Sequence, residues 1–273
     1  MLILKAIFYG ILEGVTEWLP ISSTGHLILL EQVLPLGLSA AARELFEVVI
    51  QLGAILAVPV LFWRKLTPFG GKIPPMGVCR LWGCVLLAAL PSAAAGLLLD
   101  DLISVYLFRP LVVAGALIVY GVAFVALEKR QKLHPFGGFL TEMAENTSAK
   151  AAFGVGCFQL LALVPGTSRS GATILGGLCL GLSRPAAAEF SFFLGVPTML
   201  GASLLKGFKF FWEGHSLTGE EIAVIVTGAL TAFLVSLAAI RFLTDFVRRH
   251  TFAGFGVYRI LLGIGVVASV FLP

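Results

Sequence analysis

Long apolar runs alternate with short polar segments along the whole chain. An α-helix rises 1.5 Å per residue, so about 20 apolar residues are needed to cross the hydrocarbon core of a bilayer. Six runs are long enough: residues 45–63, 81–99, 110–127, 186–205, 222–240 and 255–272. The pattern therefore predicts six transmembrane helices.

Four other apolar runs are shorter or carry charges, and they come in two pairs. The pairs are residues 3–19 with 27–38 and residues 151–164 with 172–182. Each pair flanks a polar turn, which is Pro20-Ile-Ser-Ser-Thr-Gly-His26 in the first and Pro165-Gly-Thr-Ser-Arg-Ser-Gly-Ala-Thr173 in the second. We predict that each pair enters the membrane and returns to its own side, as a re-entrant helix pair.

The order short, short, long, long, long occurs twice. Each half also contains a glutamate followed six residues later by a glycine, Glu47 with Gly53 and Glu189 with Gly195. Three crossings per half is an odd number, so the second half should be inverted relative to the first. Matched irregular segments of this kind are typical of a membrane site built from repeats. We expect an all-α polytopic membrane protein of two inverted repeats, each a re-entrant helix pair plus three transmembrane helices.

Composition and charge agree with this fold class. Of the 273 residues, 58% are hydrophobic and 12% are charged, whereas a soluble domain usually carries about 25% charged residues. These values exclude an ordinary soluble enzyme, a disordered chain and a nucleic-acid-binding protein.

The positive charges are unevenly distributed between the two predicted faces. Of the 19 Lys and Arg residues, 12 lie on the face that carries the longest hydrophilic segment, and 5 lie on the opposite face. Cytoplasmic loops carry an excess of Lys and Arg, so both termini are predicted on the outer face. One integral membrane domain then comprises a first repeat (1–130), a cytoplasmic linker (131–149) and a second repeat (150–273).

Glu13 and Glu17 are four residues apart and share one helix face. A carboxylate at bilayer depth costs about 2.5–3.5 kcal/mol on insertion scales, and two neighbouring carboxylates repel each other. The pair therefore indicates either a water-exposed helix end or a functional site, as ligands of a divalent cation or as a general acid or base.

The first polar turn offers hydroxyls and one histidine. Ser22, Ser23 and Thr24 are good N-cap residues for the next helix, which is a purely structural interpretation. Alternatively, His26 lies three residues from Ser23, a spacing at which a base can activate a hydroxyl. The start of the helix also supplies free N–H groups that can bind an anion.

The second turn repeats the anion-binding pattern and adds Arg169, flanked by Ser168 and Ser170 and followed by Thr173. A guanidinium suits bidentate binding of phosphate. The structural alternative is that Arg169 neutralises one of the two glutamates. Meeting near the midplane, the two turns would fit an anionic ligand with an apolar tail, such as a polyprenyl pyrophosphate surrounded by membrane lipids.

The segments Glu13-Gly-Val-Thr-Glu17-Trp-Leu-Pro20-Ile-Ser-Ser-Thr-Gly-His26 and Pro165-Gly-Thr-Ser-Arg-Ser-Gly-Ala-Thr173 resemble the two signature motifs of the bacterial undecaprenyl-diphosphatase family, the bacitracin resistance proteins. The resemblance covers the whole chain in length and helix order. It implies hydrolysis of undecaprenyl pyrophosphate to undecaprenyl phosphate and inorganic phosphate, which recycles the lipid carrier of peptidoglycan synthesis. It also implies a bacterial inner membrane location and a divalent cation, Mg²⁺ or Ca²⁺.

The resemblance also assigns roles to the residues of the two motifs. The catalytic candidates are Ser23, His26, Glu17 and Glu13. The substrate-binding candidates are Arg169, Ser168, Ser170, Thr173 and Ser22, and Glu13 and Glu17 are the candidate metal ligands. As a hypothesis, Ser23 attacks the terminal phosphorus or positions a water that does, helped by His26 or Glu17.

Two alternatives and several residues stay open at this point. Inverted repeats around a polar centre are also typical of transporters, so the chain could instead move or flip a lipid phosphate, although a pure transporter needs no serine beside a base. Glu47 and Glu189 fit either the cavity or helix packing, and Tyr258 and Arg259 are taken as packing or interface residues. Gly10 and Gly14 form a small-x3-small pattern for close helix approach, and we list a homodimer among the expected assemblies.

Overall fold

The computed structural model of the chain describes residues 1–107, 109–133 and 141–271, which are predominantly helical. In chain order the helices are α1 (Leu2–Thr16), α2 (Ser23–Val33), α3 (Ala40–Ile55), α4 (Ala57–Leu66), α5 (Pro75–Tyr106), α6 (Pro110–Leu133), α7 (Ala149–Gln159), α8 (Arg169–Cys179), α9 (Arg184–Trp212), α10 (Gly219–Arg249) and α11 (Ala253–Phe271). The all-α prediction is confirmed.

Six segments of the described chain are long and apolar enough to cross a membrane. They are Ala40–Leu66, Pro75–Leu99, Pro110–Arg130, Arg184–Trp212, Gly219–Arg249 and Ala253–Phe271. Each contains, wholly or in large part, one of the six runs predicted from hydropathy. The chain is therefore a multi-pass membrane protein.

The two short helix pairs contain the same unusual backbone conformation at the same place. Ser22 immediately precedes α2 with a φ of 71°, and Ser168 immediately precedes α8 with a φ of 70°. Positive φ is uncommon outside glycine, and among the described residues only these two non-glycine residues have it. Counting back from these serines, Glu13 of α1 corresponds to Gln159 of α7. This match supports the internal repeat, whose inverted orientation stays a prediction.

The first helix of each short pair packs against a spanning helix of the other half. Helix α1 lies against α10, and the corresponding helix α7 lies against α5. Helices α6 and α11 pack together, as do α3 and α9. This exchange of partners brings both polar turns to the interior of one membrane domain. The predicted linker 131–149 includes residues 134–140, which lie outside the described residues, so the domain boundaries stay predictions.

Close helix approach depends on glycines, as the small-x3-small pattern predicts. A Cβ on Gly10 would lie 2.5 Å from the carbonyl oxygen of Gly228 in α10, and a Cβ on Gly14 would lie 2.7 Å from that of Ala232. These glycines therefore serve packing within the chain and carry no argument for a homodimer, which stays a prediction.

Replacement of Gly156 in α7 with alanine should destabilise the fold by about 1–3 kcal/mol, the usual cost of overpacking. The added Cβ would lie 2.3 Å from the carbonyl oxygen of Ala88 in α5, and a backbone atom cannot turn aside. Thermal unfolding in detergent, followed by circular dichroism, measures the effect. The matched control is Gly83→Ala in α5, where nothing in the described chain lies within 4 Å of the added Cβ. Equal midpoints for the two variants would contradict the prediction.

Candidate active site

The two polar turns meet at a cavity of about 470 Å³. Its polar lining comes from the end of α1, the starts of α2 and α8, and the facing sides of α3, α5, α7 and α9. Of the predicted site residues, the cavity is lined by Glu17, Ser22, Ser23, Ser168 and Arg169. Glu13, His26, Ser170 and Thr173 are not among the lining residues. The turns thus come together as expected, but only part of each turn faces the cavity.

Arg169 and Glu17 form an ion pair that joins the two halves of the chain. The Nη2 and Nε atoms of Arg169 donate to Oε1 of Glu17 at 3.1 and 3.4 Å. Nη1 donates to the carbonyl oxygen of Ser191 in α9 at 2.7 Å. Gly195 leaves room for this guanidinium, since a Cβ there would lie 2.8 Å from Nη1. Of the two structural partners considered for Arg169, the structure selects Glu17.

Ser23 lies on the other side of the same carboxylate. Its Oγ is 3.5 Å from Oε2 of Glu17, the oxygen that Arg169 leaves free. Ser23 is the first residue of α2, so its hydroxyl is presented at the helix N-terminus. Glu17 is therefore placed both to orient Arg169 and to accept a proton from the Ser23 hydroxyl.

His26 points away from Ser23, although the spacing in sequence allowed a serine–histidine pair. Its Nδ1 bonds with the carbonyl oxygen of Ser22 at 2.7 Å, and its Nε2 bonds with the hydroxyl of Tyr258 at 2.8 Å. The imidazole and the Tyr258 ring are stacked with centroids 5.6 Å apart. In this arrangement Glu17 is the better-placed base, and the catalytic role of His26 stays a prediction.

The hydroxyls of the second turn mainly hold the turn in place. Ser170 donates to the carbonyl oxygens of Glu17 and Leu19 at 2.9 and 3.3 Å. Thr173 donates to the carbonyl oxygen of Arg169 at 2.9 Å and bonds with the Ser191 hydroxyl at 2.7 Å. Both side chains are buried. Their contacts are with the protein, so they position Arg169, and substrate binding by them stays a prediction.

Ser168 differs from its counterpart Ser22 in how it ends the turn. The Ser168 hydroxyl accepts from the backbone N–H of Gly171 at 3.2 Å and so caps α8. Within the described chain the Ser22 hydroxyl finds no partner, and it leaves the first N–H groups of α2 without a side-chain cap. The start of α2 is therefore the more open anion-binding position.

Glu13 is completely buried, which rules out the water-exposed alternative. Neither of its carboxylate oxygens reaches a donor among the described residues, and its charged neighbours are two further carboxylates, Glu17 and Glu47. A buried carboxylate without a partner is costly, so this position calls for a proton or a cation. In the described part of the chain no group of three or more His, Cys, Asp or Glu is arranged to hold a metal ion, so a cation here would take further ligands from substrate or water. That is the usual way in which Mg²⁺ is bound, and the residues therefore fit such an ion.

Arg259, which the sequence analysis takes as a packing or interface residue, makes contacts that the sequence did not indicate. It is completely buried, and its Nη1 donates to the carbonyl oxygen of Pro20 at 3.1 Å. Its Nη2 donates to the carbonyl oxygens of Gly166 and Thr167 at 2.9 and 2.8 Å. Arg259 thus bonds to both polar turns. The signal in the sequence was an arginine in an apolar run, because charges at membrane depth usually mark function.

Glu47 and Glu189 do not line the cavity. Glu47 pairs with Arg43 at 3.1 Å, and Glu189 pairs with Lys65 at 2.8 Å. A polar residue of the cavity that the sequence analysis missed is Gln159, which donates to the Ser92 hydroxyl at 2.5 Å. Gln159 occupies the position in α7 that Glu13 occupies in α1.

Comparison with known proteins gives one family over nearly the full chain. Residues 6–265 match the family described as "Bacitracin resistance protein BacA". The chain is 51% identical to the undecaprenyl-diphosphatase of Streptococcus thermophilus over 97% of this chain and 92% of that protein. It is also 51% identical to the undecaprenyl-diphosphatase of Enterococcus faecalis over 95% of this chain and 94% of that protein.

Proposed function

Since the chain belongs to the bacitracin resistance protein BacA family, we propose that it is an undecaprenyl-diphosphatase. It hydrolyses undecaprenyl pyrophosphate to undecaprenyl phosphate and inorganic phosphate, and this recycles the lipid carrier of peptidoglycan synthesis in the bacterial cell wall. The observation that carries the proposal is the convergence of Arg169, Glu17 and Ser23 on one cavity inside the membrane domain.

Arg169 binds the phosphate groups in this proposal. A guanidinium has five N–H donors, and three hydrogen bonds to Glu17 and Ser191 engage part of them. The donors that remain can face phosphate oxygens in the cavity. The N–H groups at the start of α2 add backbone donors. Preorganised donors of this kind stabilise the charge that shifts during phosphoryl transfer.

Glu17 acts as the base and Ser23 as the nucleophile or as the group that orients a water. In the first route the Ser23 Oγ bonds to the terminal phosphorus, its proton passes to Glu17, and the bridging P–O bond breaks. Undecaprenyl phosphate leaves with the electron pair, and water then hydrolyses the phosphoserine to inorganic phosphate. In the second route water attacks directly and Glu17 takes its proton.

Glu13 and Glu17 would hold a divalent cation, Mg²⁺ or Ca²⁺, in this proposal. When bound, it supplies positive charge that neutralises the pyrophosphate oxygens. The two unpartnered oxygens of Glu13 support this assignment, since they are available as ligands.

Chelation of divalent cations with EDTA should lower phosphate release by wild-type protein at least about tenfold, since one charge-stabilising group is usually worth that much or more. Added Mg²⁺ or Ca²⁺ should restore it. Glu13→Gln should require a higher cation concentration for half-maximal activity, because one carboxylate ligand is lost. Unchanged phosphate release in EDTA would contradict the cation proposal and leave the hydrolase proposal intact.

We also propose that the cavity opens to the outer face of the bacterial inner membrane, where the N- and C-termini lie. Lys206, one of the few positive charges assigned to the outer face, lies at the cavity rim and pairs with Glu44 at 2.5 Å. Lys65, Lys72 and Arg248, all assigned to the cytoplasmic face, line a separate cleft of about 420 Å³. This separation of the two sets supports the predicted orientation.

A lipid phosphate transporter is the second candidate, favoured by the exchanged packing of the two halves and by the second cleft. Phosphate release from undecaprenyl pyrophosphate in detergent micelles separates the two functions, because a micelle has no second side to transport to. Release that depends on Arg169 supports the hydrolase. Folded wild-type protein that releases no phosphate would contradict it, and lipid movement across vesicles would then be measured.

A further inference from the structure

Arg259 is the one residue described above whose side chain bonds to both polar turns at once. It comes from α11, far along the chain from either turn, and none of its side chain is exposed. The three carbonyl oxygens that it binds belong to Pro20 of the first turn and to Gly166 and Thr167 of the second. These carbonyls immediately precede the segments that carry Ser23 and Arg169.

We propose that Arg259 is a positioning residue that fixes the distance between Ser23 and Arg169 by tying the two turns together. This inference rests on the proposed hydrolase function. Arg259 lies outside the cavity lining, so it acts on the substrate only through the turns.

Arg259 is held by hydrogen bonds to backbone carbonyls of the two turns rather than by an ion pair. In the described chain its hydrogen-bond partners are backbone carbonyls, and no carboxylate is among the groups that act on its charge. Its guanidinium lies over the ring of Tyr120 at 5.6 Å. A buried charge held by carbonyl dipoles and one aromatic ring, without a counter-ion, is a costly arrangement for stability alone. Its planar fork, however, can reach carbonyls of two separate turns at once, as a lysine ammonium cannot.

The second turn is shaped to admit this guanidinium. A Cβ on Gly171 would lie 2.9 Å from Nη1 of Arg259, so the absence of a side chain at position 171 leaves space for the guanidinium. Next to Arg259, the hydroxyl of Tyr258 bonds to His26 of α2. Two consecutive residues of α11 therefore hold the first turn, and one of them also holds the second.

Arg259→Lys should lower kcat about 100-fold, the usual effect of a misplacement of about 1 Å in a catalytic site. The KM for undecaprenyl pyrophosphate should stay close to the wild-type value, because the lysine keeps the charge and touches no substrate. A purely structural role would instead lower the amount of folded protein and leave the kcat of the folded fraction unchanged. Folded protein is therefore quantified by size exclusion and thermal unfolding before each assay.

Gly171→Ala displaces the same contact from the other side and provides a second test if Arg259→Lys does not fold. It should also lower kcat, and the two substitutions together should cost little more than the larger single effect, because both remove one contact. The controls are Gly265→Ala in α11, where nothing in the described chain lies within 4 Å of the added Cβ, and Arg241→Lys, an exposed arginine of α10. Both should keep wild-type kcat.

The outcomes separate the inference from the function on which it rests. A wild-type protein that releases no phosphate overturns both. If the wild type is active, any of three results overturns the inference alone. Folded Arg259→Lys keeps kcat within threefold of wild type, only KM changes, or the kcat losses of the two single substitutions multiply in the double variant. If Arg259→Lys does not fold, an unchanged kcat in Gly171→Ala overturns it. A fall in kcat with little change in KM and non-additive substitutions support it.

Discussion

Replacement of Arg169 with lysine should lower kcat/KM for undecaprenyl pyrophosphate by about 10²- to 10³-fold, the range found when one charge-stabilising donor is removed from an active site. The physical reason is that the guanidinium donates hydrogen bonds to several groups at the same time. It donates to Glu17, to the carbonyl oxygen of Ser191 and, in the proposed reaction, to phosphate. A lysine ammonium is a single point with three donors and cannot span these positions in one plane.

Arg169→Ala should be only slightly worse than Arg169→Lys, because the loss of the fork is the larger part of the effect. Both are measured as phosphate release in detergent, against Arg241→Lys, which changes an exposed arginine of α10 in the same way. Full activity in the lysine variant of Arg169 would contradict planar, multidentate binding of phosphate.

Ser23→Ala should have the largest effect of any single substitution if Ser23 is the nucleophile. Removal of a catalytic nucleophile lowers kcat by about 10⁴-fold or more in well-studied hydrolases. The hydroxyl is the only part removed, and it lies 3.5 Å from Oε2 of Glu17. The matched control is Ser269→Ala in α11, whose hydroxyl donates only to the carbonyl oxygen of Val266.

The measurement for Ser23 is single-turnover phosphate release with a search for a phosphorylated intermediate by mass spectrometry. A phosphate on Ser23 in rapidly quenched wild-type protein supports direct attack. A Ser23→Ala variant that retains activity within tenfold of wild type would exclude the serine as nucleophile and leave water, deprotonated by Glu17, as the attacking group.

Much of the fold could be predicted from the sequence because membrane insertion depends on few variables. Hydropathy and the length of the apolar runs predicted all six spans. The odd number of membrane crossings in each half led to the expectation that the two turns meet. Local backbone breaks were missed. The run 45–63 reads as continuous, whereas the structure interrupts it at Leu56, between α3 and α4, and gives Phe62 a non-helical conformation. Apolar side chains flank both positions, so hydropathy contains no signal for the break. The signal at Leu56 is Pro59, which has no N–H to donate to the carbonyl oxygen of Ile55.

The residues of the site were predicted better than the directions of their side chains. Glu17, Ser23 and Arg169 converge because each lies at the end of a short helix beside a turn. Side-chain direction depends on tertiary contacts that spacing does not reveal, so His26 turns to Tyr258. The contacts of Arg259 were missed as well, since its partner Pro20 lies at the other end of the chain. An arginine that binds backbone carbonyls needs no acidic partner. The sequence therefore contains no acidic residue that would indicate this contact.

The most direct test of the central claim is ³¹P nuclear magnetic resonance of undecaprenyl pyrophosphate in detergent with purified protein and Mg²⁺. It identifies which bond breaks. Wild-type protein should give equal amounts of undecaprenyl phosphate and inorganic phosphate, and Arg169→Ala should leave the substrate unchanged. Release of inorganic pyrophosphate, or the same products at the same rate from Arg169→Ala, would contradict hydrolysis of the phosphoanhydride at the cavity where the two turns meet.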